Sequence, residues 1–348
     1  MVNLFLSCTS LRRPKSLVAA CIVLVAAACG EPPPPPAPAA PPVKSAEERA
    51  RWYQNCWNQF NTQAWDVFQT CYAETAVSEA IDQNPPSVSG RAAIIARDKA
   101  EAAGLPDRRG EVRLILVNGD HLASIALYSG TNTGPLPPGP DGKPIPATKK
   151  SVGFLIAHAA DLDPTGAHVV RDAAYIDENT FAAQLGLSKG GARHVEGPSG
   201  ASPSIVIAKN DETERANQAA ARAMFDALTA HDLAAAGKAM ADGYKLIEIA
   251  QPKDMDKKAA LASLKEAITA FPDVAIRPTT LWTAGDYVVA EGTFAGTNTG
   301  NIPSMGLRKT GKKVSVRFFE VMRFEKGQIQ DDWLFYNGAA FTRQLTAK

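Results

Sequence analysis

The strongest constraint on this chain is that it carries one unit twice. Tyr128-Ser-Gly-Thr-Asn-Thr-Gly134 recurs as Phe294-Ala-Gly-Thr-Asn-Thr-Gly300, an offset of 166 residues. At that offset, without a gap, Leu105-Pro106-Asp107 aligns with Phe271-Pro272-Asp273, and Asn118-Gly119-Asp120-His121 with Ala284-Gly285-Asp286-Tyr287. Nearer the ends, after insertions in the first copy, Phe181-Ala-Ala-Gln-Leu185 matches Phe341-Thr-Arg-Gln-Leu345. One short match is weak evidence, but four landmarks in one order are strong. A repeated unit must complete its own core, so the 348 residues are expected to form two domains.

Both copies run through the same elements. An amphipathic helical stretch opens each, with Trp52, Cys56 and Phe60 in the first and Ala220–Leu228 in the second. The stripe of Trp52, Tyr53, Trp57 and Phe60 reads as core packing. A second helix near 91–103 or 257–270 is ended by Gly104 or by Pro272 just beyond it. Strand-like runs follow at Arg113–Val117, Leu122–Tyr128 and Ser151–Ala160, then at Tyr287–Phe294, Val314–Phe324 and Ile329–Tyr336. Helices followed by strands predict an α+β unit with helices on one face of an antiparallel sheet. The first domain is expected over 45–187 and the second over 212–348. Between them, Ser188–Asn210 holds Gly-Gly, Gly-Pro-Ser-Gly and Ser-Pro-Ser, which predicts a flexible linker over 188–211 with little to bury.

The N-terminus points to a compartment. Arg12, Arg13 and Lys15 precede the apolar run Leu17–Ala28, which stops at Cys29. That run is too short to span a membrane, so residues 1–28 are expected to be a secretory signal. Val25-Ala-Ala-Ala-Cys29-Gly30 predicts a bacterial lipobox with Cys29 as the lipid acceptor; an ordinary signal cleaved near Ala28 is the alternative. Cleavage removes three basic and no acidic residues, leaving 34 basic against 36 acidic, so lipid rather than a basic patch would hold the membrane. Residues 29–44 include Glu-Pro-Pro-Pro-Pro-Pro-Ala-Pro-Ala-Ala-Pro-Pro, an extended tether. At ~3.1 Å per residue it would reach roughly 40 Å. Gly30, rather than an aspartate after the lipidated cysteine, favours the outer membrane of a bacterial envelope.

The near-neutral balance excludes a dedicated nucleic-acid binder, which needs a basic face. Five cysteines contain no Cys-x-x-Cys pair, and His121, His158, His168, His194 and His231 stand apart, so no metal site or cofactor is expected. In an oxidising compartment Cys56 and Cys71 can close a disulfide worth ~3 kcal/mol, or remain two buried thiols.

Alternation along the strands selects side chains for chemistry. Val316, Phe318, Glu320, Met322 and Phe324 share one face, and Arg317, Phe319 and Arg323 the other. Glu320 would thus be a desolvated carboxyl suited to acid–base work, or a carboxylate satisfied by an arginine or by backbone donors. His158 is the matching polar intrusion among Val152, Phe154, Ile156 and Ala160, either functional or a satisfied core histidine. In the last strand Asp331, Trp333, Phe335 and Asn337 alternate on one side, with Arg171, Ala173, Tyr175 and Asp177 as counterparts. Tyr175, Trp333, Phe335, Asn337, Phe318 and Met322 are therefore expected to line the pockets. The Gly-Thr-Asn-Thr-Gly loops read as strand-ending turns rather than phosphate cradles.

The second copy carries Phe225-Asp-Ala-Leu-Thr-Ala-His-Asp232, Phe271-Pro-Asp273, Ala284-Gly-Asp-Tyr-Val-Val289, Gly296-Thr-Asn-Thr-Gly300, Thr310-Gly-Lys-Lys-Val314, Phe324-Glu-Lys-Gly-Gln-Ile329, Trp333 and Gln344-Leu345. It resembles the SnoaL-like polyketide cyclase (ester cyclase) family of the nuclear-transport-factor-two-like superfamily, over about 212–345 and more loosely over about 46–187. The resemblance implies two tandem cone-shaped α+β barrels, each a curved antiparallel sheet wrapped on its N-terminal helices. In such cyclases an aspartate a few residues after the tryptophan of the last strand serves aldol closure as acid and base. Asp177 matches that place, but Ala173 replaces the tryptophan; the second copy keeps Trp333 and has Asn337 instead. An amide takes up no proton at neutral pH. Asn132 and Asn298 replace a frequent histidine, Ile125 and Glu291 a frequent arginine, and Tyr244-Lys-Leu-Ile247 a Phe-x-Asp-His motif.

Three functions stay open on these grounds. The first is a lipid-anchored protein that binds a small apolar molecule without catalysis. The second is a cyclase or isomerase using Asp177 with His158 or Tyr175. The third is an interaction module whose outer face, with Phe319 and Val321 between Arg317 and Arg323, pairs the two copies as an intramolecular pseudo-dimer.

Overall fold

In the computed structural model, residues 42–138, 143–188 and 193–347 are described; the expected signal segment, Cys29 and most of the tether lie outside them. The first copy contains helices α1 (Ala46–Asn61), α2 (Trp65–Phe68), α3 (Arg91–Gly104) and α4 (Glu178–Gln184). Its strands are β1 (Tyr72–Ala80), β2 (Ser87–Ser89), β3 (Arg109–Asn118), β4 (His121–Thr131), β5 (Leu136–Pro138), β6 (Pro144–Ile145), β7 (Ser151–Leu162) and β8 (Val169–Tyr175). Strand β9 (Ser204–Ile207) lies in the connection. The second copy follows with α5 (Glu212–Thr229), α6 (Leu233–Ala239), β10 (Met240–Glu248), β11 (Met255–Asp256), α7 (Lys257–Ala270), β12 (Ala275–Ala284), β13 (Tyr287–Thr297), β14 (Lys313–Glu325), β15 (Gln328–Tyr336) and α8 (Gly338–Thr346). No helix among the described residues is long and apolar enough to cross a membrane.

Local chemistry sets the helix starts. Ser45 and Glu48 form a reciprocal capping box on α1, the Ser45 N–H donating to Glu48 Oε2 at 2.7 Å. Asp211 caps α5 and Asp256 caps α7, each accepting from the third backbone N–H beyond it. Cys56 on α1 and Cys71 are joined by a disulfide, which ties α1 to the start of the first sheet.

The two sheets have one strand order, β2-β1-β8-β7-β4-β3 and β11-β10-β15-β14-β13-β12. They are mixed rather than wholly antiparallel, because β1 runs parallel to β8 and β10 parallel to β15. The linker also departs from expectation. Its residues Ser204–Ile207 pair in parallel with Leu114–Val117, adding β9 to the edge of the first sheet. Glu196 pairs its backbone with Gly153, and Ser199 and Gly200 donate to Glu111. Glycine and serine content weakened the strand signal there, while Ile205, Val206 and Ile207 supplied enough to pair.

The Gly-Thr-Asn-Thr-Gly loops are structural turns. Asn132 is fully buried, accepts from the Thr148 N–H at 2.7 Å and donates to the Gly134 carbonyl at 2.7 Å and the Gly104 carbonyl at 3.2 Å. Asn298 repeats this with Thr310, Gly300 and Ala270 at 2.8, 2.8 and 3.4 Å. Each loop thereby clips the end of the second helix. A Cβ on Gly134 would stand 2.1 Å from the Ala103 carbonyl oxygen, and one on Gly300 2.5 Å from that of Thr269, so neither glycine can carry a side chain.

Each sheet buries both faces. One face covers the copy's own helices. The other belongs to a cluster drawn from both copies: Leu114, Leu116, Ile125, Ala157, Ala173 and Tyr175 from the first, with Trp282, Val289, Phe319, Val321 and Phe335 from the second. Tyr175 and Phe319 lie 5.4 Å apart between ring centroids. Polar groups rim this layer. Arg171 holds Glu291 through both guanidinium branches, at 2.9 and 3.1 Å, and the Tyr175 hydroxyl donates to Glu291 at 2.7 Å. Arg317 of the second copy in turn pairs with Glu79 of the first.

Phe319→Ala should cost about 3–5 kcal/mol by opening a cavity in this shared layer. Because both sheets lose a surface at once, urea unfolding should remain one transition, with fluorescence and far-UV circular dichroism shifting together. Two separated transitions would show that the copies are stable independently.

Candidate functional site

The interior of the second cone holds a cavity of about 210 Å³. Its apolar wall comes from α5, α7, β14 and α8, including Phe225, Leu228, Leu264, Phe318 and Phe341. Its polar groups come from neighbouring strands: Tyr244 and Glu248 on β10, Glu320 on β14, Asp332 and Tyr336 on β15. The Tyr244 hydroxyl donates to Asp332 Oδ2 at 2.7 Å, and the Tyr336 hydroxyl donates to Glu248 Oε1 at 2.5 Å. Gln251 also reaches Glu248, at 3.3 Å. No lysine, arginine or histidine is among the described residues that line the cavity.

Burial dominates the electrostatics of these acids. Desolvation, then the neighbouring Asp332 carboxyl, pushes Glu320 well above the usual carboxylate range. Desolvation pushes Asp332 up to about 6, against the lowering effect of hydrogen bonds from Tyr244 and Glu320. Glu248 is raised by burial despite its bond from Tyr336. Asp332 Oδ1 is buried without a hydrogen-bond partner, so a proton held by Glu320 is the donor within the chain that would satisfy it.

Register shows what stands in the same places in the first cone. Ser124 pairs with His158 as Ala290 pairs with Glu320, so His158 and Glu320 are equivalent. Ala160 pairs with Asp172 as Met322 pairs with Asp332, so the two aspartates are equivalent too. The positive-φ residues Gln63 and His231, just beyond the ends of α1 and α5, fix the helix alignment. By that alignment Trp57 stands where the second copy has Phe225, and Phe60 where it has Leu228. The turns before β3 and β12 match Arg108 to Val274. Larger groups thus occupy the first cone. Arg108 is 1% exposed, its guanidinium 4.2 Å from the Phe60 ring centre, and Trp57 packs edge-on to His158 at 5.2 Å. His158 Nδ1 lies 2.8 Å from Asp172 Oδ1. Burial raises Asp172, but His158 and Arg97 outweigh it and hold the carboxyl below the usual range.

Several expected site residues lie elsewhere. Asp177 does not line the cavity: it caps α4, accepting from Thr180 N–H at 2.9 Å and Asn179 N–H at 3.4 Å, and from Gly338 N–H of the second copy at 3.1 Å. Asn337 caps α8 in the same way, through Ala339 and Ala340. Tyr175, Phe335 and Trp333 belong to the shared layer between the sheets. The residues of β15 that enter the cone are Asp332, Leu334 and Tyr336, one position out of step with the expected set. Both faces of this strand are apolar, so alternation could not tell inside from outside. Phe318 and Glu320 do line the cavity, while Met322, on the same face, is fully buried in the core behind it. Tyr244, Glu248 and Asp332 were missed; the shared face of Tyr244, Leu246 and Glu248 on β10 was the available signal.

Gln substitution of Glu320 has a signed consequence. Acids whose folded pKa is raised stabilise below their unfolded pKa and lose that contribution as pH climbs through the folded value. The parent should therefore lose stability relative to Glu320→Gln as pH rises above the ordinary glutamate value of about 4.3. Thermal melts should show the variant a few degrees more stable at pH 8 and unchanged at pH 4.5.

Comparison with known proteins is consistent with this architecture. The profile of the SnoaL-like polyketide cyclase family matches residues 47–185 and again 218–345. No curated protein sequence matches the chain. Among solved structures, TsrD from Streptomyces laurentii is 21% identical over 40% of this chain and 98% of its own, with a TM-score of 0.35. A proposed SnoaL-like polyketide cyclase from Jannaschia sp. CCS1 is 18% identical over 40% and 96%, with a TM-score of 0.37. An NTF2-like protein of unknown function from Burkholderia pseudomallei K96243 is 19% identical over 38% and 98%, with a TM-score of 0.32. The two profile matches together span most of the described residues, and the chain belongs to the SnoaL-like polyketide cyclase family, in two tandem copies.

Proposed function

We propose that this protein binds a small, largely apolar molecule in its second domain, and that the first domain serves as a filled, structural copy. The observation that carries this reading is the contrast between the cones. Phe225, Leu228 and Val274 border a cavity, while the larger Trp57, Phe60 and Arg108 stand at the equivalent positions of the first cone. At about 210 Å³, the cavity is smaller than the ~300 Å³ at the lower end of drug-sized sites, which favours a compact ligand over a multi-ring polyketide.

A second reading is proton transfer. It is favoured by Glu320, which holds a proton, beside Asp332, which can take one up near neutral pH. One NMR titration addresses both. Cyclopentanone should bind the full chain and fail to bind the double variant Phe225→Trp/Leu228→Phe, which copies the first domain's bulk while near-UV circular dichroism stays native. Equal binding by the two proteins ends the cavity reading. In deuterated water the same sample shows whether the ketone's α-protons exchange faster than in buffer; such exchange, lost in Asp332→Asn, would replace binding alone by catalysis.

We also propose that a lipid on Cys29 holds the protein at a bacterial envelope, most simply the outer membrane, on the strength of the lipobox and the proline-rich tether. Palmitate should label the parent in cells and not the Cys29→Ser variant.

A further inference from the structure

Four carboxyl groups line one apolar cavity, and among its described lining residues no side chain supplies a positive charge. The neighbours from each wall are acids, phenols and amides: Tyr244 and Glu248 from β10, Glu320 from β14, Asp332 and Tyr336 from β15, Glu266 from α7, and Gln251. Arg193 influences Glu248 from a distance but is engaged with Asp254 at 2.6 Å. Asp332 is 2% exposed, and its Oδ1 has no donor. A buried carboxylate with one oxygen unsatisfied and no cation beside it is costly, so a bound group that supplied both charge and N–H donors would be favoured there.

The first copy shows how such a site is otherwise balanced. At the position of Glu320 it has His158, whose imidazole meets Asp172 at 2.8 Å, and Arg97 and Arg108 lie in the same interior. The second copy keeps the aspartate but replaces the imidazole with another carboxyl. The imidazole that the first cone sets against its aspartate is missing from the second.

Resting on the reading of the second cone as a binding cavity, we infer that its ligand is an organic cation, a compact apolar body bearing a protonated amine. The ammonium would take the place of the proton that Glu320 holds toward Asp332, donating to Asp332 Oδ1 and to the Glu320 carboxylate so released, with Glu248 adding negative charge nearby. An ammonium offers three donors and no acceptor, which suits a cluster of acceptors. The faces of Phe318 and the two tyrosines provide further attraction for a cation. Acidic pH would weaken binding, because Asp332 then takes up a proton and Glu320 keeps its own, which leaves no charge to recognise the ligand.

The test is calorimetry on the full chain at pH 8 with three ligands of one shape: cyclopentylammonium, cyclopentanol and cyclopentanecarboxylate. Cyclopentylammonium should bind at least ten-fold more tightly than cyclopentanol, and the carboxylate should not bind. That advantage should fall at least ten-fold in Asp332→Asn and in Glu320→Gln, and in the parent at pH 5, while cyclopentanol is unaffected. Should either variant lose its near-UV signal, the other and the pH series carry the comparison. Cyclopentanol binding as well as or better than the ammonium overturns the amine assignment and leaves the cavity reading standing. If none of the three binds, and cyclopentanone does not either, the cavity reading fails and the amine assignment fails with it.

Discussion

The apolar layer between the two sheets is the constraint on which the other features rest. An antiparallel sheet usually keeps one face for water, and the polar alternation that results tells a reader which side is the core. Here Phe319, Val321 and Phe335 of one sheet meet Tyr175, Ala173 and Ile125 of the other, leaving neither sheet a solvated face along its centre. Arg171 and Glu291 at the rim fix lateral placement, since a bidentate pair tolerates little sliding. With the outer faces spoken for, each cone interior was free to change without loss of the assembly.

The two interiors differ. In the first, larger side chains and an in-chain imidazole–carboxylate pair occupy the interior. In the second, smaller groups leave room and the acids are left to one another. The Asp177 and Asn337 positions, where the resemblance placed acid–base chemistry, have become helix caps in both copies. Their oxygens are occupied by backbone N–H groups, which explains why an aspartate and an asparagine serve equally there: a cap needs an acceptor, not a titratable proton.

The duplication, the order of elements and the turns at Asn132 and Asn298 were legible because they depend on short-range signals: glycines, caps and hydrophobic periods. Glu320 was legible as well, as a lone carboxyl in an apolar run. The last strand was not. Asp331, Trp333, Phe335 and Asp332, Leu334, Tyr336 are equally plausible inward sets until the burial of the outer face is known, and only the tertiary contact decides. The pairing of Ser204–Ile207 escaped notice for a related reason, since a strand of four residues beside glycine and proline carries too little pattern of its own.

The Arg171–Glu291 pair has no mirror image. By strand register, the second copy has Asp331 where the first has Arg171, and the first has Ile125 where the second has Glu291. Two second copies brought together in the same manner would set carboxylate against carboxylate, and two first copies would bury a guanidinium against isoleucine. The halves are therefore heterotypic mates: each is chemically fitted to its unlike sibling and repelled by its own kind. Covalent linkage in one polypeptide guarantees that the fitted mate is the one at hand.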